Sequence, residues 1–394
     1  MGASGQIICL TMIVKDEAEI LPRLFESCRD LIRYWVICDT GSTDGTQELI
    51  CRELAGIPGE LHRSEWVDFG VNRSQLVALA RGKADYLLLL DADMTVTQIA
   101  TIGKLTADAY VIRQAAGQFA YWTKRLVRGD LEWRYVGSTH EYIETTHPAE
   151  TVERLEALVV EHHADGHSWS EKFERDLQLL TNALHENPDD ARAQFYLAQT
   201  CRDLAHQTQN KHMLANALDH YQRRADMPGW AEETYFAQYQ VGVLAAQLGD
   251  WPQAMDAYVR AWEGRPQRLE AVHDLAAGLR ERGYYQTAHR FTRMAAHLKP
   301  LQIPDDILFV APWVYEWGML FEYSITAYWV EEYRNSVAAC KKLLSIDSLP
   351  DRYRKLTMSN VAHAVRECTR IAVERPRPQR KLKHAGTPTR GLPA

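Results

Sequence analysis

The stretch Tyr86-Leu87-Leu88-Leu89-Leu90-Asp91-Ala92-Asp93 decides the fold. An unbroken apolar run of this length reads as a strand buried on both faces, and it stops on a pair of carboxylates. In open α/β sheets, ligands collect at the carboxyl ends of strands. Two acidic side chains fixed there suit a hard cation such as Mg²⁺ or Mn²⁺. Asp91 and Asp93 are therefore candidate metal ligands, and a nucleotide diphosphate is a ligand that needs such an ion. An Asp-x-Asp triplet also caps turns, so the rest of the chain has to separate the two readings.

Working outward, β-like runs at Ile7–Val14 and Tyr34–Asp39 alternate with helical stretches at Ala18–Cys28, Asp44–Leu54 and Val71–Arg81. This is the rhythm of a parallel sheet built from βαβ units. Ala109–Arg113 and Leu158–His162 read as later strands of the same sheet, giving an α/β nucleotide-binding domain over residues 1–165. From Ser168 onward the pattern is helical. Gly249, Ala254, Ala261 and Pro266 recur as Gly283, Ala288, Ala295 and Pro300, each displaced by 34 residues, which is the tetratricopeptide period. An earlier copy is visible in Leu197-Ala198, Ala217, Tyr221 and Pro228, with an insertion near His206–His212, and a further helical pair covers Trp313–Leu344. The expectation is an all-α repeat domain over 166–374 and a disordered, basic, Pro-rich tail at 375–394.

The bulk composition excludes some classes. The chain has 394 residues, 45 basic and 52 acidic, for a net charge of −7. That balance gives no general attraction to nucleic acid or an anionic membrane surface. No apolar run approaches the length that spans a bilayer. Ile7–Val14 lacks the basic flank and cleavage site of a leader and reads as a first strand. The seven cysteines are scattered and without a Cys-x-x-Cys pair, so reduced, buried, structural thiols in a cytoplasmic protein are expected.

Asp39-Thr40-Gly41-Ser42-Thr43-Asp44-Gly45-Thr46 follows the second strand directly. Its glycines permit a tight strand-to-helix turn, Ser42 or Asp44 can cap the next helix, and Asp39 hangs at the strand's end where it can accept from a base or ribose. A plain turn explains the glycines and serine equally well.

Thr11-Met12-Ile13-Val14-Lys15-Asp16-Glu17, the Asp39–Thr46 segment, Asn72-Arg73 and Asp91-Ala92-Asp93 together resemble the ordered landmarks of family-2 glycosyltransferases. A second stretch, Trp133-Arg134-Tyr135-Val136-Gly137-Ser138-Thr139-His140-Glu141, followed by Val160-Glu161-His162-His163 and by Lys172-Phe173-Glu174-Arg175-Asp176, is similar to a branch with lipopolysaccharide-core glucosyltransferases and tetratricopeptide-fused members. The sunS-like peptide glycosyltransferases have a comparable two-part layout. The resemblance implies a GT-A, Rossmann-like fold, a nucleotide-sugar donor and inversion at the anomeric carbon. It implies that Thr11 and Glu17, with Ser42 and Asp44 of the turn, lie near the nucleoside. Asp39 would contact the base, Arg73 the base or diphosphate, Asp91 the ribose or metal, and Asp93 the metal.

Inversion requires a base that removes the acceptor proton. Glu141 is the candidate, with His140 as its rival because imidazole titrates near neutrality. Asp93 alone holds a metal poorly, and a histidine closing the last strand would complete the set. His162 and His163 both occupy that position, but strand alternation lets only one face the site. Lys172, Arg175 and Asp176, at helical spacing, read as a diphosphate contact or as an interdomain ion-pair face. Of the helical half's aromatics, Trp230, Tyr235, Tyr239, Trp251, Trp313, Tyr315, Trp317 and Trp329, most read as core, though some could line a groove.

The expected activity is metal-dependent transfer from a UDP-sugar to Ser, Thr or Cys of a protein or peptide. A superhelical repeat array presents a concave surface for an extended acceptor. A lipid-linked saccharide, a polysaccharide or a modified nucleic-acid base is the alternative acceptor. Outside enzymology, the rival is a repeat-based binding scaffold with a degenerate catalytic domain. Oligomerisation remains open.

Overall fold

The computed structural model describes residues 5–116, 119–163, 165, 172–297, 299 and 301–374. The tail expected to be disordered, 375–394, lies outside the described residues, as does the side chain of Lys172. The chain divides into two compact units, residues 1–228 and 229–394.

The first unit begins with β1 (Ile8–Val14), α1 (Leu21–Cys28), β2 (Tyr34–Asp39), α2 (Thr46–Glu53), β3 (Gly59–Arg63), α3 (Phe69–Ala80) and β4 (Tyr86–Leu89). Then come β5 (Met94–Gln98), β6 (Ala109–Ala116), β7 (Phe119–Arg128), the hairpin β8 (Trp133–Val136) and β9 (Tyr142–Thr145), and β10 (Val152–His162). Eight strands form one sheet in the order β3-β2-β1-β4-β7-β6-β10-β5. Four of its seven pairings are parallel, and β7 and β5 run against their neighbours. The run 86–90 is the buried strand anticipated, each residue at most 2% exposed. It lies beside β1, with Leu89 opposite Thr11.

The sheet curls, and chain length requires it. The five steps from Leu89 to Met94 reach at most about 17 Å, whereas β4 and β5 in a flat sheet would stand four strand spacings, about 19 Å, apart. The curl folds the β10–β5 edge back toward the carboxyl end of β4. Val96 N donates to Ser27 Oγ of α1 at 3.0 Å, fixing that edge against the first helix.

Among the described residues, three helices complete the first unit, α4 (Lys172–Glu186), α5 (Ala191–Thr208) and α6 (Lys211–Asp226). The second unit holds α7 (Ala231–Leu248), α8 (Trp251–Gly264), α9 (Glu270–Glu281), α10 (Tyr285–Thr292), α11 (Met319–Trp329), α12 (Tyr333–Leu344) and α13 (Asp351–Glu374). The repeat read from the sequence has a clear basis. Gly249 and Gly283 each stand just before the second helix of a pair with positive φ, 90° and 82°, which glycine adopts without strain. The matched alanines 254, 261, 288 and 295 are all buried, the first two in α8, the third in α10 and the last in the 3-10 turn Arg293–His297 that follows it. Residues 301–311 run without regular structure and are held by their backbone. Glu232 accepts from Ile307 N and Leu308 N, Arg268 donates to Leu308 O and Phe309 O, and Glu270 accepts from Ala311 N.

Some expectations are corrected. Strands β3, β5, β7, β8 and β9 were not read from the sequence: β3 and β5 are short and alternate weakly, while β7, β8 and β9 mix charged residues with aromatics and become extended by pairing as hairpins, β7 with β6 and β8 with β9. Cys51 is exposed and Cys368 half-buried, unlike the other five cysteines; burial pushes the Cys9 and Cys28 thiols up to about 12. Tyr235, Tyr315 and Trp317 are core, while Trp230, Trp313 and Trp329 are exposed. No described helix is long and apolar enough to cross a membrane.

Candidate active site

The site lies at the carboxyl ends of β1, β2 and β4. Asp39, the last residue of β2, is 1% exposed. Its Oδ1 accepts from Gly41 N, Ser42 N and Gln47 Nε2 at 2.9, 3.0 and 2.9 Å. Its Oδ2 is buried and has no hydrogen-bond partner among the described residues. A buried carboxylate oxygen left unsatisfied is costly and normally has a function or a ligand to account for it. Here it leaves one carboxylate oxygen open to a donor from outside the described residues.

Ser42 and Asp44 direct their side chains into the loop that follows β1. Ser42 Oγ accepts from Asp16 N at 2.8 Å, and Asp44 accepts from Ala18 N and Thr46 N, each at 3.0 Å. The N-cap position of α2 is Gly45, but Asp44 just before it satisfies Thr46 N, the first amide of the helix, as anticipated, while Ser42 takes its donor from the β1 loop. Both act as ties between the first two strand-end loops. Thr11 is buried within β1 and its hydroxyl donates back to Cys9 O at 3.3 Å. Glu17 N donates to Thr46 Oγ1 at 2.9 Å, anchoring the same loop.

Asn72 and Arg73 sit in the first turns of α3, whose N-cap Asp68 accepts from Val71 N at 2.7 Å. Asn72 is buried and braces the preceding loop, accepting from Val67 N and donating to Glu65 O. Arg73 faces the site and joins two acids. Its Nη2 donates to Asp91 Oδ1 at 2.5 Å, and its Nε lies 2.8 Å from Glu141 Oε1, an ion pair not aligned as a hydrogen bond. Phe69 and Tyr135 flank the guanidinium, each ring centroid 5.8 Å away.

Asp91 also meets Arg125 Nη1 at 3.5 Å. Burial alone would push its carboxyl up, but the two guanidinium charges outweigh that and hold it at about 2, below the ordinary 3.8. The same carboxylates raise the pKa of Arg73 against the opposing effect of burial. Asp91 is thus the acidic anchor of two arginines. Arg125 was not anticipated. The available signal was a basic residue within the strand-like run Lys124-Arg125-Leu126-Val127; Gln114 accepts from its Nε and Nη2.

Asp93 and His162 come together from opposite ends of the domain. His162 Nε2 lies 3.0 Å from Asp93 Oδ2. The antiparallel pairing of β10 with β5 sets His162 opposite Met94. The next residue takes the other face: His163 N donates to Asp93 O at 2.9 Å, while its ring pairs with Thr95 Oγ1 at 2.9 Å. His162 and not His163 joins the Asp93 carboxylate. Among the described residues no three His, Cys, Asp or Glu side chains converge as a metal cage. A two-donor Asp–His set still fits a divalent cation that takes its other positions from diphosphate oxygens and water, as Mg²⁺ commonly does.

Glu141 and His140 part company. Glu141 joins Arg73 and through it Asp91. His140 stacks on Tyr196, centroids 4.2 Å apart, with its Nε2 3.7 Å from Asp176 Oδ2. Arg175, at the same helix, lies over the Phe69 ring at 5.0 Å.

Comparison with known proteins adds the family. The model for glycosyl transferase family 2 matches residues 9–141, which span the strand-end loops from β1 to Glu141. A TPR repeat-containing protein of Synechococcus elongatus is 28% identical over 329 residues, covering 76% of this chain and 77% of that protein. Among solved structures, YrrB, a TPR protein with an unusual peptide-binding site, is 17% identical with a TM-score of 0.34, over 50% of this chain and 86% of its own. The C-terminal part of a TPR repeat-containing protein from Cytophaga hutchinsonii is 12% identical with a TM-score of 0.39, over 52% and 70%. The chain carries a glycosyl transferase family 2 domain at its amino-terminal end, fused to a tetratricopeptide-like helical region.

Proposed function

We propose that this chain is a metal-dependent, inverting glycosyltransferase that moves a sugar from a nucleotide diphosphate donor, a UDP-sugar foremost, to Ser, Thr or Cys of a protein or peptide. The family 2 domain supports glycosyl transfer. The observation that carries the finer reading is the Arg73 bridge, which ties the strand-end acid Asp91 to the loop acid Glu141. Donor-side and acceptor-side chemistry then share one anchor.

In this reading the free Oδ2 of Asp39 accepts a hydrogen bond from the base or ribose. Asp93 and His162 hold Mn²⁺ or Mg²⁺, which when bound supplies positive charge to the departing diphosphate. Glu141 takes the acceptor proton as the acceptor oxygen or sulfur bonds to the anomeric carbon, and the bond from that carbon to the diphosphate breaks on the opposite face. Tyr196 and Asp176 engage the His140 ring, which favours Glu141 as the base. The helical repeats favour an extended peptide acceptor.

A thermal-shift screen of nucleotide sugars with and without Mn²⁺ tests the reading, because a ligand bound only by the folded state raises the melting temperature. A UDP-sugar should raise the melting temperature in the presence of Mn²⁺, and Asp93→Ala should abolish the metal-dependent part. Absence of a shift with every nucleotide sugar would sink the proposal.

A further inference from the structure

Glu141 ends a loop, residues 137–141, that joins the two strands of the small hairpin rather than the main sheet. Helix α3 fixes one side of it. Phe69 N donates to Ser138 O at 3.1 Å, and Gly70 stands so close that a β-carbon there would lie 2.2 Å from Gly137 O. The other side is gripped by α4 and α5. Thr139 Oγ1 donates to Asp176 Oδ1 at 3.1 Å, while Asp176 Oδ2 faces His140 Nε2. Arg192 Nη2 donates to His140 O at 2.8 Å, and Tyr196 stacks on the imidazole.

These contacts surround a backbone that needs them. His140 has φ 52°, the left-handed region, which a residue with a side chain holds when its neighbours over-determine it. That turn sends the His140 ring to Asp176 and leaves the next side chain, Glu141, on Arg73. The Asp176 side chain is only 2% exposed. Burying a carboxylate is expensive unless its partners compensate, and its described partners are Thr139 and His140 of the loop and Arg175 beside it.

We propose that Asp176 is a positioning residue for Glu141, and that α4 and α5 are thereby working parts of the catalytic unit. This rests on Glu141 being the base. Hydrogen exchange and turnover, measured on the full chain, separate the two ideas. In Asp176→Ala, exchange of the 138–142 amides should quicken by at least about 10-fold while β1, β2 and β4 keep their protection. Turnover of a UDP-sugar should lose on the order of 10²-fold in kcat, with donor KM within about 2-fold of wild type. Asp176→Asn keeps an acceptor for Thr139 and should recover most of the loss. In a Glu141→Gln background, Asp176→Ala should add nothing further, because the group it positions is already gone.

If Asp176→Ala does not fold, Thr139→Val, which removes one bond to the same carboxylate, carries the same expectation at smaller size. Unchanged loop exchange would overturn the proposal, as would faster exchange with an intact kcat. A wild-type protein that turns over no donor would sink the transferase reading, while the exchange measurement would still decide the loop anchoring.

Discussion

Two arginine–carboxylate networks, one in each unit, have been built to opposite ends. In the helical unit Arg268 is 0% and Glu270 3% exposed. Arg268 donates to Glu270, Asp306, Leu308 O and Phe309 O, and stands over the Tyr235 ring at 4.5 Å. Its charge is absorbed by internal partners, so the network serves to fasten residues 306–311. In the sheet unit Arg73, Asp91 and Glu141 are 11%, 27% and 13% exposed, and Asp39 at the end of β2 keeps an oxygen with no partner among the described residues. A closed network stabilises, whereas one left open at a strand end retains capacity for a ligand.

The contrast is broken most strongly by Glu141→Gln. Removing a general base should cost about 10²–10⁴-fold in kcat, while the donor-induced thermal shift survives; a steady-state assay of nucleotide release reads the loss. Next is Arg268→Ala, which leaves Glu270 buried without its cation and Asp306 with Arg265 alone, and should cost about 3–5 kcal/mol. Urea unfolding should register that loss, and nucleotide-sugar binding should not change. Equal damage to binding would erase the distinction between the networks.

The smallest expected effect is a dependence of stability on pH at Asp91. The folded carboxyl of Asp91 is held at about 2, below its ordinary 3.8. A depressed acid stabilises above the unfolded value and loses that contribution as pH falls toward the folded one, here between about pH 4 and 2. The stability gap between wild type and Asp91→Asn should be about 1–2 kcal/mol at neutral pH and shrink by roughly half near pH 3. Urea midpoints at the two pH values check this.

Much of the architecture could be read from local pattern. The run at 86–90 and the alternation upstream of it gave the parallel half of the sheet, since strands buried on both faces must be continuously apolar. The 34-residue recurrence gave the repeats because a helical pair needs small residues and a left-handed turn at fixed places. Arg125 and the strands after β4 were less visible. Apart from β6 and β10, their sequences alternate imperfectly, and they become strands only through their pairing, β5 with β10 across the domain and β7 and β8–β9 as hairpins.

Composition and order along the chain were enough to put Asp39 and Asp91 at strand ends and Glu141 in a loop beyond them. Choosing between neighbours required the folded molecule. His162 rather than His163 meets Asp93 because the β10–β5 register, set across 68 residues, aligns it with Met94. Glu141 rather than His140 meets Arg73 because α4 and α5 hold one residue in a left-handed turn. Side-chain type is local information, but facing direction depends on register and backbone hand, and both are imposed by contacts far away in sequence.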